Sequence, residues 1–409
     1  MNDDLNFLLD KVEEIVESPR NLANKKFWET DISWPRDMWR GFPKFKPSEG
    51  IPFLVFPDNA LWAKILEVDL REYYSDPEVH LKTQLKMTIY HFDHWEDNTY
   101  YTKDLFIWFG VVTELSFFGP KIRFFPQREG WIEGPPLLEK KENLASLKPP
   151  DFYKSGLMPK IHEFYEKMSE LVKGRFRVLF PMWVRGPFCI AAHLRGYDNI
   201  IVDMMEDPNF VHSLMRFITD AEKSWAKERA KFLNSPIEKT FLYNDEIGLP
   251  FIRPEMYEEF ILPYEIELAE FYGGILYWHS CANTTRFVEM IKKIPGLKMF
   301  HVSPNTDVVK AATVCGPSIS LDVDLDPFKD VLEATKEEMK SRLEGIIDVC
   351  MEKEIPFSIR ADGFQPVHTL EKDLSQINLW INVAHECIKE GAYGRFKRNC
   401  RKPYTREGR

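Results

Sequence analysis

His279 and Cys281 stand two residues apart at the end of the apolar run Gly274-Ile275-Leu276-Tyr277-Trp278. Strand side chains alternate between faces with a period of two, so an imidazole and a thiol at this spacing point the same way. A thiolate beside an imidazole at a strand end is the donor pair of a zinc site. A catalytic zinc keeps three protein ligands and an open position for substrate, so one more ligand is required. A core histidine beside an unrelated buried cysteine explains the tripeptide alone equally well. The other strand ends decide the balance.

From about residue 105 short apolar strands alternate with amphipathic helices. The strands are expected at Leu105–Phe109, Arg177–Val184, Lys239–Tyr243, Gly274–Trp278, Lys298–Val302, Ser318–Val323 and Phe357–Ile359, with one more in the first hundred residues. The helices between them include Asp207–Phe232, Pro254–Phe271, Thr284–Lys293, Val308–Val314 and Lys336–Lys353. Alternation of this kind means parallel strands joined by right-handed crossovers. Eight strands without a Gly-rich phosphate turn after the first fit an α/β fold of the (β/α)8 TIM-barrel type rather than an open doubly wound sheet. Residues 1–95, with helical patterns at Asn6–Val16 and around His80–Tyr90, are expected as a helical extension packed on the barrel. Residues 96–392 form the barrel itself and 393–409 a basic, solvated tail.

Barrel active sites lie at the C-terminal ends of the strands. Those ends read Asn244-Asp245-Glu246, His279 with Cys281, His301-Val302-Ser303, Asp322-Val323-Asp324 and Arg360-Ala361-Asp362-Gly363. Helix capping explains one or two polar residues there, not the set. Cys315 precedes its strand, Cys350 lies in a helix, and Cys387 and Cys400 follow the last strand. The third ligand is therefore expected to be a carboxylate, Asp362 or Glu246. His91-Phe92-Asp93-His94 has near-ligand spacing but no third partner in view, and His193 reads as a polar helix residue.

The net charge of −10 argues against general affinity for nucleic acid, and no apolar run approaches a membrane span. The acidic start Met1-Asn2-Asp3-Asp4 lacks a signal-peptide pattern, and six scattered cysteines form no disulfide framework, so a cytoplasmic, reduced protein is expected.

Several segments resemble the uroporphyrinogen decarboxylase-like superfamily, and within it the zinc-dependent corrinoid methyltransferases. They are Gly186-Pro187-Phe188, Leu194-Arg195-Gly196, Met205-Glu206-Asp207-Pro208, Asp245-Glu246 and Ile252-Arg253-Pro254-Glu255-Met256-Tyr257. Phe260-Ile261-Leu262-Pro263-Tyr264 continues the likeness, and His279-Ser280-Cys281-Ala282-Asn283 is close to the methyltransferases' H-x-C-G-N motif. Ala282 departs from that motif, and Asp362 stands where those enzymes place a third cysteine. A more oxygen-rich site of that kind suits an ether or hydroxyl oxygen. No counterpart of the decarboxylases' Arg-rich N-terminal motif is found; the early segment reads Asp31-Ile32-Ser33-Trp34-Pro35-Arg36.

The resemblance implies methyl transfer between a small substrate, expected to be a methoxy-aromatic compound undergoing O-demethylation, and the cobalt of a separate corrinoid protein. It also implies a homodimer. Zinc would be held by His279, Cys281 and Asp362, with Glu246 or Asp245 as the acid at the leaving oxygen. Arg360 would clamp a substrate carboxylate, beside Trp278, Tyr243, His301 and Phe364. A metal-free decarboxylase, using Asp245, Arg360 and His301, is the competing reading. A non-catalytic binder is the third.

Overall fold

The computed structural model describes residues 4–29, 42–44 and 50–399, with side chains through residue 389. The segment Asp31–Arg36, Met1 to Asp3 and residues 400–409 of the basic tail lie outside the described residues.

Eight parallel strands carry the fold: β1 (Phe53–Pro57), β2 (Asp104–Phe106), β3 (Arg177–Leu179), β4 (Thr240–Tyr243), β5 (Ile275–His279), β6 (Met299–Val302), β7 (Ser320–Leu325) and β8 (Phe357–Phe364). Six of them form one sheet in the order β1-β8-β7-β6-β5-β4. β2 and β3 pair separately, and a parallel bridge from Arg185 to Tyr243 continues the β3 segment onto β4. No ladder joins β1 to β2 among the described residues, so the hydrogen-bonded ring of an eight-stranded barrel is interrupted there. The central strands β4, β5 and β6 are short, mostly apolar and buried on both faces, as parallel sheets covered by helices require.

The expected strands all occur, with shifted ends. The differences are physical. β1 lies inside the stretch expected to be a helical extension, yet Ile359 to Phe364 of β8 pair with it, so 95/96 is not where the sheet begins. The single helix expected over Pro254–Phe271 is two, α5 (Pro254–Phe260) and α6 (Leu262–Tyr272). Pro263 has no N–H to continue the ladder and its ring crowds the preceding turn. The helix expected at Thr284–Lys293 is a single turn, Val288–Ile291.

Ahead of β1, α1 (Leu5–Glu17) is capped by Asp4, which accepts a hydrogen bond from the Phe7 N–H, and buries Leu8, Leu9, Val12 and Ile15. That spacing lays one apolar stripe against α2 (Pro77–His94). Two crossover helices, the short α3 (Pro187–Arg195) and the long α4 (Pro208–Phe232), follow β3. No helix among the described residues is long and apolar enough to cross a membrane.

Candidate metal centre

A cavity of about 270 Å³ opens at the C-terminal ends of β1, β4, β5, β7 and β8. Tyr243, Asp245, His279, Cys281, Asp324 and Asp362 line its polar side. The rest of its lining comes from the first 130 residues: Phe56, Trp62, Met87, His91, Trp108 and Val111, with the polar Asp58, Asn59 and Glu129.

At the floor His279 Nε2 lies 3.2 Å from Cys281 Sγ and 3.2 Å from Asp245 Oδ1. The three donor atoms all fall within 4.8 Å of one another. Ligands about 2.0–2.3 Å from a tetrahedral zinc stand roughly 3.3–3.8 Å apart, so the donor set fits that ion with little movement. Burial, reinforced by His301 stacked at 4.0 Å, lowers the His279 pKa well below the ordinary value, leaving the neutral imidazole a metal requires. Cys281 reaches the cavity surface, but its thiol sits deep among protein atoms. Burial and then the carboxylates of Asp245, Asp324 and Asp362 push its pKa well up. Without an ion the sulfur keeps its proton, and a bound cation would displace it.

The third corner is Asp245, a correction to the expectation of Asp362 or Glu246. Asp362 lines the cavity but faces Arg360 Nη1 at 3.0 Å. Glu246 accepts from Arg185 Nη1 at 3.1 Å and pairs with His193 Nε2 at 2.6 Å. Burial opposes its charge, but Arg185 and His193 hold its carboxyl below the ordinary value. It is therefore locked, not poised as an acid. Arg185, which the sequence reading missed, also donates to Asp245 Oδ2 at 3.2 Å and so aims the other oxygen at His279. Its charge persists despite full burial because Glu246 and Asp245 flank it. Its one sequence signal is its place before Gly186-Pro187. A Cβ on Gly186 would meet Asn244 Oδ1 at 1.9 Å, so that glycine lets Asn244 seat beside Asp245.

Behind His279, Nδ1 meets the Tyr277 hydroxyl at 3.2 Å, and Tyr277 donates to Asp322 Oδ2 at 2.6 Å. Asp322 in turn pairs with Arg360 at 3.3 Å. Such outer partners fix the ring nitrogen that faces a metal. Tyr277→Phe is expected to weaken zinc binding about tenfold, read by competition with a chromogenic chelator.

Arg360 is not the substrate clamp expected of it. It is fully buried and surrounded by Asp322, Asp324 and Asp362. Trp278 and Phe364 are fully buried and off the cavity lining. Trp278 points away from His279 because neighbours on a strand alternate. His301 is buried beneath His279, bonding Ser280 O at 2.8 Å and facing Asp324 at 3.4 Å. Tyr243 does line the cavity, its ring 5.0 Å from that of His279. His91 pairs with Asp97 at 3.0 Å, and His94 bonds its own helix turn through Tyr90 O.

Glu265 of α6 braces the ligand strands from outside the cavity. It accepts from Asn244 Nδ2 at 2.8 Å, from Trp278 Nε1 at 3.2 Å and from the Tyr257 hydroxyl. Burial raises its pKa to about 7, against those three hydrogen bonds. The folded chain therefore holds this proton where the unfolded chain has lost it, between the ordinary value of 4.5 and about 7. Stability from this group is full below that window and falls as pH rises through it, by about 3 kcal/mol at most. Glu265→Gln should flatten that slope, raising the melting temperature at pH 8 and leaving it nearly unchanged at pH 5.

A family model described as uroporphyrinogen decarboxylase (URO-D) matches residues 62–359. A methylated-thiol–coenzyme M methyltransferase of Methanosarcina mazei is 23% identical over 194 residues, which is 47% of this chain and 51% of that protein. The chain thus spans about half the length of that curated relative. A solved structure, a methyltransferase from Methanosarcina mazei, superposes with a TM-score of 0.60 at 13% identity, covering 83% of this chain and 99% of that one. At that identity the superposition speaks for the fold alone.

Proposed function

We propose that this chain, which belongs to the uroporphyrinogen decarboxylase family, is a zinc-dependent methyltransferase working with the cobalt of a separate corrinoid protein. The observation that carries the reading is the convergence of Asp245, His279 and Cys281 at the cavity floor. A decarboxylase that uses no metal has no need of a thiol and an imidazole 3.2 Å apart. The curated relative that the chain resembles over half its length is itself named as a methyltransferase.

In this reading His279, Cys281 and Asp245 hold zinc, which supplies Lewis acidity to the heteroatom bearing the methyl group. Tyr277 and Arg185 keep the histidine and the aspartate aimed at it. Trp62, Trp108 and Tyr243 give flat walls for the ring of a methoxy-aromatic substrate, and their apolar surface keeps water from the floor. A carboxylate ligand in place of a third thiolate suits an ether oxygen.

The test is zinc content of the purified protein together with O-demethylation of methoxy-aromatics by it and a reduced corrinoid protein. About one zinc per chain and transfer that stops on chelation are expected. Methyl transfer surviving complete metal removal overturns the role of zinc, and a chain that takes up no zinc and transfers no methyl group would favour the decarboxylase class instead.

A further inference from the structure

The charge of the cavity wall points beyond the family of methoxy-aromatics to one kind of member. Carboxylates line it at Asp58, Glu129, Asp245, Asp324 and Asp362, and among the described residues no lysine or arginine does. The two guanidiniums behind the wall are already taken. Arg185 is held by Asp245 and Glu246, and Arg360 by Asp322, Asp324 and Asp362. A divalent ion at the floor would be offset by its own thiolate and carboxylate ligands, leaving the rest of the wall negative.

Asp324 gives the wall a specific contact. The residue is only 8% exposed and lines the cavity, and its Oδ1 has no hydrogen-bond partner. A buried carboxylate oxygen without a donor is costly, and a cation arriving from the cavity relieves that cost. The aromatic side answers the same need, because the faces of Trp62, Trp108 and Tyr243 attract a positive charge as well as a ring.

We propose that the cavity selects a methoxy-aromatic substrate carrying a positively charged nitrogen, with Asp324 and the indole faces receiving that charge. A substrate bearing a carboxylate is refused, since it would be desolvated among like charges with no guanidinium among the described lining residues to meet it. The substrate class rests on the methyltransferase reading; the charge preference itself does not.

The experiment uses three compounds of one shape: 4-methoxybenzylamine, 4-methoxybenzyl alcohol and 4-methoxybenzoate. Their affinities are measured by calorimetry on metal-free and on zinc-loaded protein. The ammonium should bind about tenfold tighter than the alcohol, and the alcohol about tenfold tighter than the benzoate, in both forms. Asp324→Asn should cost the ammonium about fivefold and leave the alcohol within about twofold; Glu129→Gln, nearer the surface, should act in the same direction.

Equal binding of alcohol and ammonium, or tighter binding of benzoate, overturns the inference. So does a preference seen only with zinc present, which would report amine coordination. Zinc content and methyl transfer of the same preparation are read separately. A zinc protein that transfers methyl groups without charge preference sinks this inference alone, and a cation-selective protein that holds no zinc sinks the methyltransferase reading alone.

Discussion

Cys281→Ser and Asp245→Asn will each leave the purified chain without stoichiometric zinc, whereas Asp362→Asn will not. A three-ligand site loses far more than a third of its affinity with one donor, since the remaining two no longer fix the geometry of an ion that must shed its water. Loss of about a thousandfold in zinc affinity is expected for the thiolate and about a hundredfold for the carboxylate. Methyl transfer should fall with occupancy. The contrast between the two aspartates makes the prediction sharp. Asp245 Oδ1 stands 3.2 Å from the His279 nitrogen, whereas Asp362 is turned to Arg360 at 3.0 Å. Metal analysis after dialysis against a weak chelator reads the outcome directly. If Asp362→Asn loses zinc and Asp245→Asn keeps it, the third ligand assigned here is wrong and the cavity floor must rearrange around an ion.

The histidine and the cysteine were readable from the sequence because residues so close along the chain need no pairing between strands to bring them together, although β5 stops at His279 and Cys281 follows it in a bend. The third ligand was not, because which carboxylate meets them depends on how far each strand runs before it turns. β8 extends to Phe364, several residues beyond its expected end, and this keeps Asp362 in the sheet, paired opposite Phe56 of β1. Asp245 instead follows β4 in a turn whose backbone is tied across to β5, with the Asn244 N–H donating to His279 O at 2.7 Å.

Arg360 misled for the same reason. Alone at a strand end it reads as a free clamp, but parallel pairing sets Asp324 directly opposite it and Asp322 opposite Ser358. Register of that kind is a property of two strands, not of either. Trp278 could have been excluded without a structure, since adjacent residues of a strand turn to opposite faces and Trp278 precedes His279. The apolar half of the cavity was not legible at all. Phe56, Trp62 and Trp108 sit in segments with no chemical pattern, and only the fold carries them to the strand ends.

Arg360→Met is expected to destabilise the chain by about 3–5 kcal/mol, the cost of leaving buried carboxylates without their counter-charge. Arg360 is fully buried, and Asp322, itself 1% exposed, has the guanidinium 3.3 Å away. Removing the cation leaves Asp322 to take up a proton or draw in water. Either change alters the oxygen that holds the Tyr277 hydroxyl, and through it the ring of His279. Two consequences then separate. Melting temperature should drop by several degrees, and it should drop less as the pH is lowered, because the orphaned carboxylates can then protonate. Zinc affinity should fall as well, by an amount close to that of Tyr277→Phe, since both changes act on the same nitrogen. The double variant Arg360→Met, Asp322→Asn should recover part of the stability by removing the unpaired charge. It should not recover the zinc affinity, because an amide holds the tyrosine less firmly than a carboxylate does. Stability and metal binding that moved together in every variant would mean that Arg360 supports the barrel only, and that the chain of contacts from Arg360 to His279 carries no influence on the ion.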